Sequence, residues 1–118
     1  MEKGTKYDND KLRYDLYPVD AYEGCTAVLT FGANKYAPNN WQKVEPKERY
    51  LAAMKRHQVA QEKYEKNGGK GLAIDPESGL PHLDHAQCCL IFLRELTNKQ
   101  GLEYEQEQEY LRNKSEVF

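Results

Sequence analysis

The chain has 118 residues, 17 basic and 19 acidic side chains and a net charge of −2. One domain is expected at this length, and so small a net charge excludes a field that would draw the whole molecule onto nucleic acid or an anionic membrane. A mean hydropathy of −0.94 with 31% charged residues suits thin helical layers whose single core is completed by oligomerisation.

Residues 1–17 are polar and tyrosine-rich without a helical period, and read as an arm. Helix one is expected from about Pro18, with Ala21, Cys25, Val28, Leu29, Gly32 and Tyr36 on one stripe and Ala37-Pro38-Asn39-Asn40 as its end. Helix two is expected from about Pro46 to Lys66, with Tyr50, Ala53, Met54, His57, Ala60 and Tyr64 facing inward. A loop follows from Asn67 to Gly79, and its Asp75-Pro76-Glu77-Ser78-Gly79 is a turn signal. Helix three is expected from Leu80 to Lys99, with Leu83, Ala86, Leu90, Leu93 and Leu96 on one face, His82, His85, Cys89 and Phe92 on the next, and Gly101 as the stop. The tail (102–118) reads as a separate exposed helix completed by a partner subunit. The fold class is therefore all-α, a bundle of three main helices plus a C-terminal helix.

Cys25, Cys88 and Cys89 are odd in number and lack C-x-x-C spacing, which argues for free thiols in a reducing cytoplasm. The longest apolar run, Cys88 to Leu93, is far short of the ~20 residues of a membrane span, and no signal peptide is evident.

The chain has three histidines, His57, His82 and His85, with Asp75, Glu77 and Asp84 close by in sequence. His82 and His85 stand at i,i+3, which puts their Cβ atoms roughly 5–6 Å apart on one helix face, close enough to share a metal or an anion. H-x-x-H alone is not a metal signature, and a histidine satisfied within the core is the plainer reading of any one of them. Asp20 and Glu23 repeat the spacing on helix one, either as oxygen ligands for Mg2+ or Mn2+ or as an acidic first turn favoured by the helix dipole. Tyr36, Asn40 and Trp41 offer stacking faces and an amide for a base, or a tryptophan that plugs the core. Lys35, Arg49 and Arg56 are candidate phosphate ligands, with Lys11 and Arg13 in the arm. Asn67-Gly68-Gly69-Lys70-Gly71 lacks Walker spacing and reads as a flexible loop.

Several of these runs together resemble the phage dATP/dGTP diphosphohydrolase family, a branch of the MazG-like all-α nucleotide pyrophosphohydrolases. They are Lys6-Tyr7-Asp8, Lys11 to Pro18, Leu29 to Tyr36, Asn40-Trp41, Arg49-Tyr50, Arg56-His57 and Ile74 to Ala86, covering residues 6 to about 96. The resemblance implies a multimeric helical bundle that uses a divalent metal to cleave a purine deoxynucleoside triphosphate to monophosphate and pyrophosphate. MazG-like enzymes carry E-x-x-E and E-x-x-D, whereas this chain has Asp20-x-x-Glu23 and His82-x-x-His85, a set suited to Mn2+ or Zn2+ or to direct phosphate contact. Glu23 and Asp75 are then the expected catalytic acids, with Glu23, His57, His82 and His85 at the metal. The alternative is a phage protein that sequesters a cyclic or signalling nucleotide in an oligomer pocket without hydrolysing it.

Overall fold

The structure is a computed structural model that describes residues 2–117, so Met1 and Phe118, the outer ends of the expected arm and tail, lie outside the described residues. Three α-helices form it: α1 (Val19–Lys35), α2 (Glu48–Lys66) and α3 (His82–Val117). Single 3-10 turns lie at Tyr14–Leu16 and Asn40–Lys43. Among the described residues the only β-type pairing is one bridge between Ile74 and Pro81. The all-α expectation holds, and no described helix is long and apolar enough to cross a membrane.

The start of α1 lies one residue past Pro18, whose carbonyl accepts from the Tyr22 amide at 3.1 Å. The helix ends at Lys35, with the Tyr36 amide donating to the Gly32 carbonyl, and beyond that cap Asn39 enters the left-handed region at φ 64°, a conformation asparagine tolerates better than most side chains. The chain then turns into the short helical segment that carries Trp41.

The expected stop at Gly101 does not occur, because α3 continues unbroken for 36 residues. A lone glycine inside a helix costs about 1 kcal/mol relative to alanine, and the flanking Leu, Glu, Gln, Arg and Lys residues are good helix formers that outweigh it. Nothing lies within 4 Å of a Cβ added at Gly101. Gly101→Ala is therefore expected to favour the continuous helix by ~1 kcal/mol, read as slower amide exchange across residues 98–114. Unchanged exchange there would contradict a single helix through Gly101.

Both α1 and α2 pack on α3. The central cluster joins Cys25 and Val28 of α1 to Cys88 of α3, with Leu80 and Phe92 at its edge. Gly24 lets the Asp84 carboxylate lie against α1; a Cβ there would come within 2.3 Å of it. The buried side of α3 keeps Ala86 and Leu96 of the expected leucine face but not the rest of it. Ala86, Cys88 and Leu96 are buried, while Leu83 and Leu90 remain 41% and 51% exposed. Two helices flank α3 on the side of His85, Cys88 and Phe92, so the leucines at 83 and 90 turn outward. Apolar surface also stays uncovered on α1 (Val19, Tyr22) and on the tail (Leu102, Tyr104, Leu111).

The segment between α2 and α3 is held down by a buried amide. Gln61 is 4% exposed; its Nε2 donates to the Gly71 carbonyl at 2.9 Å and its Oε1 accepts from the Ala73 amide at 2.8 Å. The Tyr64 hydroxyl adds a bond to the Lys70 carbonyl at 3.0 Å. From Ala73 onward the chain folds back on itself, with the Asp75 amide donating to Leu80 and the His82 amide to Ala73, each at 2.9 Å. The expected flexible loop is thus fixed along α2, and the 75–79 turn is brought against His57.

Candidate functional site

Asp75 organises its own turn. Its Oδ1 accepts from the amides of Glu77 at 2.8 Å and Ser78 at 3.1 Å, the side-chain-to-backbone pattern that favours aspartate in turns. Gly79 closes the turn at φ 72°, with its amide on the Asp75 carbonyl at 2.8 Å. Burial alone would raise the Asp75 carboxyl, but the Ser78 and Glu77 amides, with His85 and His82 nearby, hold it below the ordinary carboxylate range. The carboxylate is thus ionised, and its other oxygen is free for a second task.

That oxygen, Oδ2, lies 3.9 Å from Nδ1 of His57 and 3.9 Å from Nδ1 of His82. The two Nδ1 atoms are 2.9 Å apart, so one ring donates and the other accepts. Burial, reinforced by His85 and His82, pushes the His57 imidazole below its ordinary value. A neutral imidazole at ordinary pH keeps the lone pair that a metal requires. The donor atoms of His57, Asp75 and His82 all lie within 4.8 Å of one another.

The histidines at i,i+3 do not act as a pair. His82 faces His57, whereas His85 directs its Nε2 to the Ser78 hydroxyl at 2.6 Å and stacks on the His57 ring at 4.6 Å and 12°. Residues three apart on a helix differ by about 60° in direction, and here the neighbours on the two sides differ. Glu23 is exposed on α1 and belongs neither to this cluster nor to the cavity beside it. Among the described residues the carboxylate brought to the imidazoles is Asp75.

A cavity of ≈ 860 Å³ opens beside the cluster. His57, Asp75, Ser78 and His85 form one side of it; Arg49 and Arg56 enter from α2; Lys35, Tyr36, Asn40 and Trp41 come from the end of α1 and the turn after it. His82 is not part of the lining and meets the cavity through His57. Arg49 and Arg56 form no ion pair among the described residues, whereas Lys35 donates to the Glu77 carboxylate. That bond, with Tyr36 adjacent, raises the Lys35 ammonium further. Trp41 stacks on Phe92 at 4.7 Å and 9°, and Tyr50 meets the same Phe92 ring edge-on at 5.1 Å. One face of the indole is therefore covered by Phe92, in line with the reading of a tryptophan packed on the core.

The nearby thiols are poor nucleophiles. Burial pushes Cys89 up to about 11 and raises Cys88 further still, which leaves negligible thiolate at neutral pH. All three cysteines are free. Burial likewise pushes the Tyr50 hydroxyl up to about 12, so it remains a neutral donor. Sequence reasoning missed Gln61 and Ser78 as parts of this site. The turn signal around Ser78 was visible, but nothing in it named His85 as its partner.

The fold and the site define a class: an all-α protein in which two imidazoles and a carboxylate meet a cavity lined by arginines and aromatic rings. Residues 1–106 match the family described as dATP/dGTP diphosphohydrolase, N-terminal, and the chain belongs to that family. It is also 36% identical over 95 residues to a protein of Salmonella phage PMBT28 named dATP/dGTP diphosphohydrolase. That alignment covers 80% of this chain and 30% of the relative, so the chain spans less than a third of the relative's length. No solved structure matches the chain.

Proposed function

We propose that this chain hydrolyses a purine deoxynucleoside triphosphate to its monophosphate and pyrophosphate, with one divalent cation held by Nδ1 of His57, Nδ1 of His82 and Oδ2 of Asp75. The observation that carries the reading is that two members of this donor set, His57 and Asp75, line one cavity with Arg49 and Arg56, which form no ion pair among the described residues. The name of the phage relative supports the substrate class. A cavity of ≈ 860 Å³ falls within the ~300–1,000 Å³ typical of small-molecule sites.

The donor set fits a metal once the proton held between the two Nδ1 atoms is displaced to the far ring nitrogen. Its separations of 2.9, 3.9 and 3.9 Å are all below about 4.2 Å, twice a ~2.1 Å metal–ligand bond. Two nitrogens and one oxygen favour Mn2+ or Zn2+ over Mg2+, which prefers oxygen. When bound, such an ion polarises a phosphoryl oxygen and lowers the pKa of water.

Arg49 and Arg56 neutralise the triphosphate, where a planar guanidinium binds two oxygens at once. Trp41, backed by Phe92, offers its uncovered face to the base, and Asn40 its amide. Both oxygens of Asp75 are engaged, Oδ1 by the Glu77 and Ser78 amides and Oδ2 by the cation, so Asp75 acts by holding the ion and the proton of the attacking water passes to solvent. The water oxygen bonds to the α-phosphorus, the bond to the bridging oxygen breaks, and pyrophosphate leaves with that oxygen.

Incubation with dGTP or dATP and Mn2+ should release pyrophosphate and the monophosphate in equal amounts. Tight nucleotide binding with no release in Mg2+, Mn2+ or Zn2+ would sink this reading in favour of a sequestering protein.

A further inference from the structure

Ser78 lines the cavity and is half-buried. Its hydroxyl has two neighbours: the Leu80 amide donates to Oγ at 3.1 Å, and Nε2 of His85 lies 2.6 Å away. A hydroxyl carries one proton and two lone pairs. The Leu80 amide fills one lone pair. If Nε2 of His85 donated its own proton to Oγ, both lone pairs would be used, and the hydroxyl proton would have no acceptor among the described residues. If Oγ–H donates to Nε2 instead, the hydroxyl and Nε2 are both satisfied and only the Nδ1–H lacks a partner among the described residues, against two groups, the hydroxyl proton and the Nδ1 lone pair, in the first arrangement. The second arrangement leaves the ring proton on Nδ1, the reverse of the tautomer that free histidine favours.

Three further contacts hold the ring in that pose. His57 stacks on one face at 4.6 Å, Phe31 meets the ring edge-on at 6.4 Å, and the Asp75 carboxylate fixes the Ser78 amide at 3.1 Å. Nδ1 of His85 has no hydrogen-bond partner among the described residues, and His85 lines the cavity.

We infer that Ser78 is a positioning residue that holds His85 as the Nδ1–H tautomer, so that this N–H donates to a phosphate oxygen of the bound nucleotide. The role of the donor rests on the nucleotide reading above; the tautomer does not. An acceptor at Nε2 also keeps His85 out of the metal's ligand set through that nitrogen, which separates its task from those of His57 and His82. Asp75 joins the two tasks, one oxygen facing the imidazoles of His57 and His82 and the other building the turn that carries Ser78.

The test begins with imidazole 15N NMR of the full chain without ligand. His85 is expected to show a protonated Nδ1 and an unprotonated Nε2. Ser78→Ala should move it to the ordinary Nε2–H tautomer, and Ser78→Thr should restore the wild-type pattern. Calorimetry with dGTP should then show affinity about 10-fold weaker in Ser78→Ala and recovered in Ser78→Thr. A wild-type Nε2–H tautomer, or a Ser78→Ala spectrum identical to wild type, overturns the inference whatever binds. A changed tautomer with unchanged dGTP affinity overturns the donor role. No dGTP binding by wild type, with the Nδ1–H tautomer present and lost in Ser78→Ala, overturns the nucleotide reading and leaves the positioning of His85 standing.

Discussion

His57→Ala and His82→Ala are each expected to abolish Mn2+ binding and to lower pyrophosphate release by at least about 100-fold. Both residues present Nδ1 to the same point, 2.9 Å apart and equally distant from Asp75 Oδ2, so neither substitutes for the other. His85→Ala removes a stacking neighbour and a donor but no proposed ligand, so Mn2+ should still bind. Glu23→Ala should leave both binding and turnover intact, because Glu23 stands on the exposed side of α1. Manganese EPR on the four variants, read beside turnover, checks this order. Full Mn2+ affinity in His82→Ala would remove the imidazole pair from the centre.

The same experiment has a pH arm. Protons and metal compete for Nδ1. Because burial and the neighbouring imidazoles depress His57, Mn2+ binding should persist below the ordinary histidine range and fail only at lower pH. Stability follows the same sign. A histidine whose folded pKa is lowered binds fewer protons folded than unfolded between its two values, so stability falls as pH drops through that window. His85, lowered first by burial, adds to the same trend. The window therefore lies from about the free-histidine value of 6.5 downward.

The second large effect concerns stability. Gln61→Ala is expected to destabilise the protein by ~1–3 kcal/mol, because the buried Ala73 amide loses its side-chain partner, whereas the Gly71 carbonyl belongs to an exposed residue and can turn to water. The bonds concerned are 2.9 and 2.8 Å long, and Gln61 is the one buried polar side chain among the described residues. Gln61→Glu keeps the acceptor for Ala73 but sets a buried carboxylate oxygen against the Gly71 carbonyl, and should destabilise as well, least at low pH where the carboxyl is protonated and can donate. Chemical denaturation measures both. Nucleotide affinity should fall along with stability, since the segment that Gln61 pins carries Asp75 and Ser78. A loss of under ~0.5 kcal/mol in Gln61→Ala would mean that the segment is held elsewhere.

Much of the site was legible in the chain because polar residues with chemical capacity are few. Three histidines, one tryptophan and a Pro-Glu-Ser-Gly turn leave little choice about where a ligand would sit. The runs shared with the phage family added the family. Helix periodicity gave the first two helices and the start of the third to within a few residues, because apolar stripes at 3.6 spacing are a local property. Periodicity could not say which of two adjacent apolar faces on α3 would meet α1 and α2. It therefore favoured Leu83 and Leu90 over Cys88, the most buried side chain of the helix cluster. Gly101 misled for a similar reason: a stop signal is a propensity, and good formers on both sides override it.

The sequence by itself determined the inventory: all-α elements, free thiols, a cation and aromatic set near Trp41, and imidazoles beside Asp75. Only the tertiary structure decided how that inventory divides. H-x-x-H looked like one bidentate unit, yet packing sends His82 to His57 and His85 to Ser78. Glu23 looked the first choice of acid and Asp75 the second, yet the turn held down by Gln61 brings Asp75 to the imidazoles and Glu23 stays exposed. The physical reason is the range of the forces involved. Spacing along a helix fixes direction only relative to that helix, whereas a hydrogen bond or a metal ligand is fixed by what stands opposite, and here that lies 25 residues away for His57 and His82.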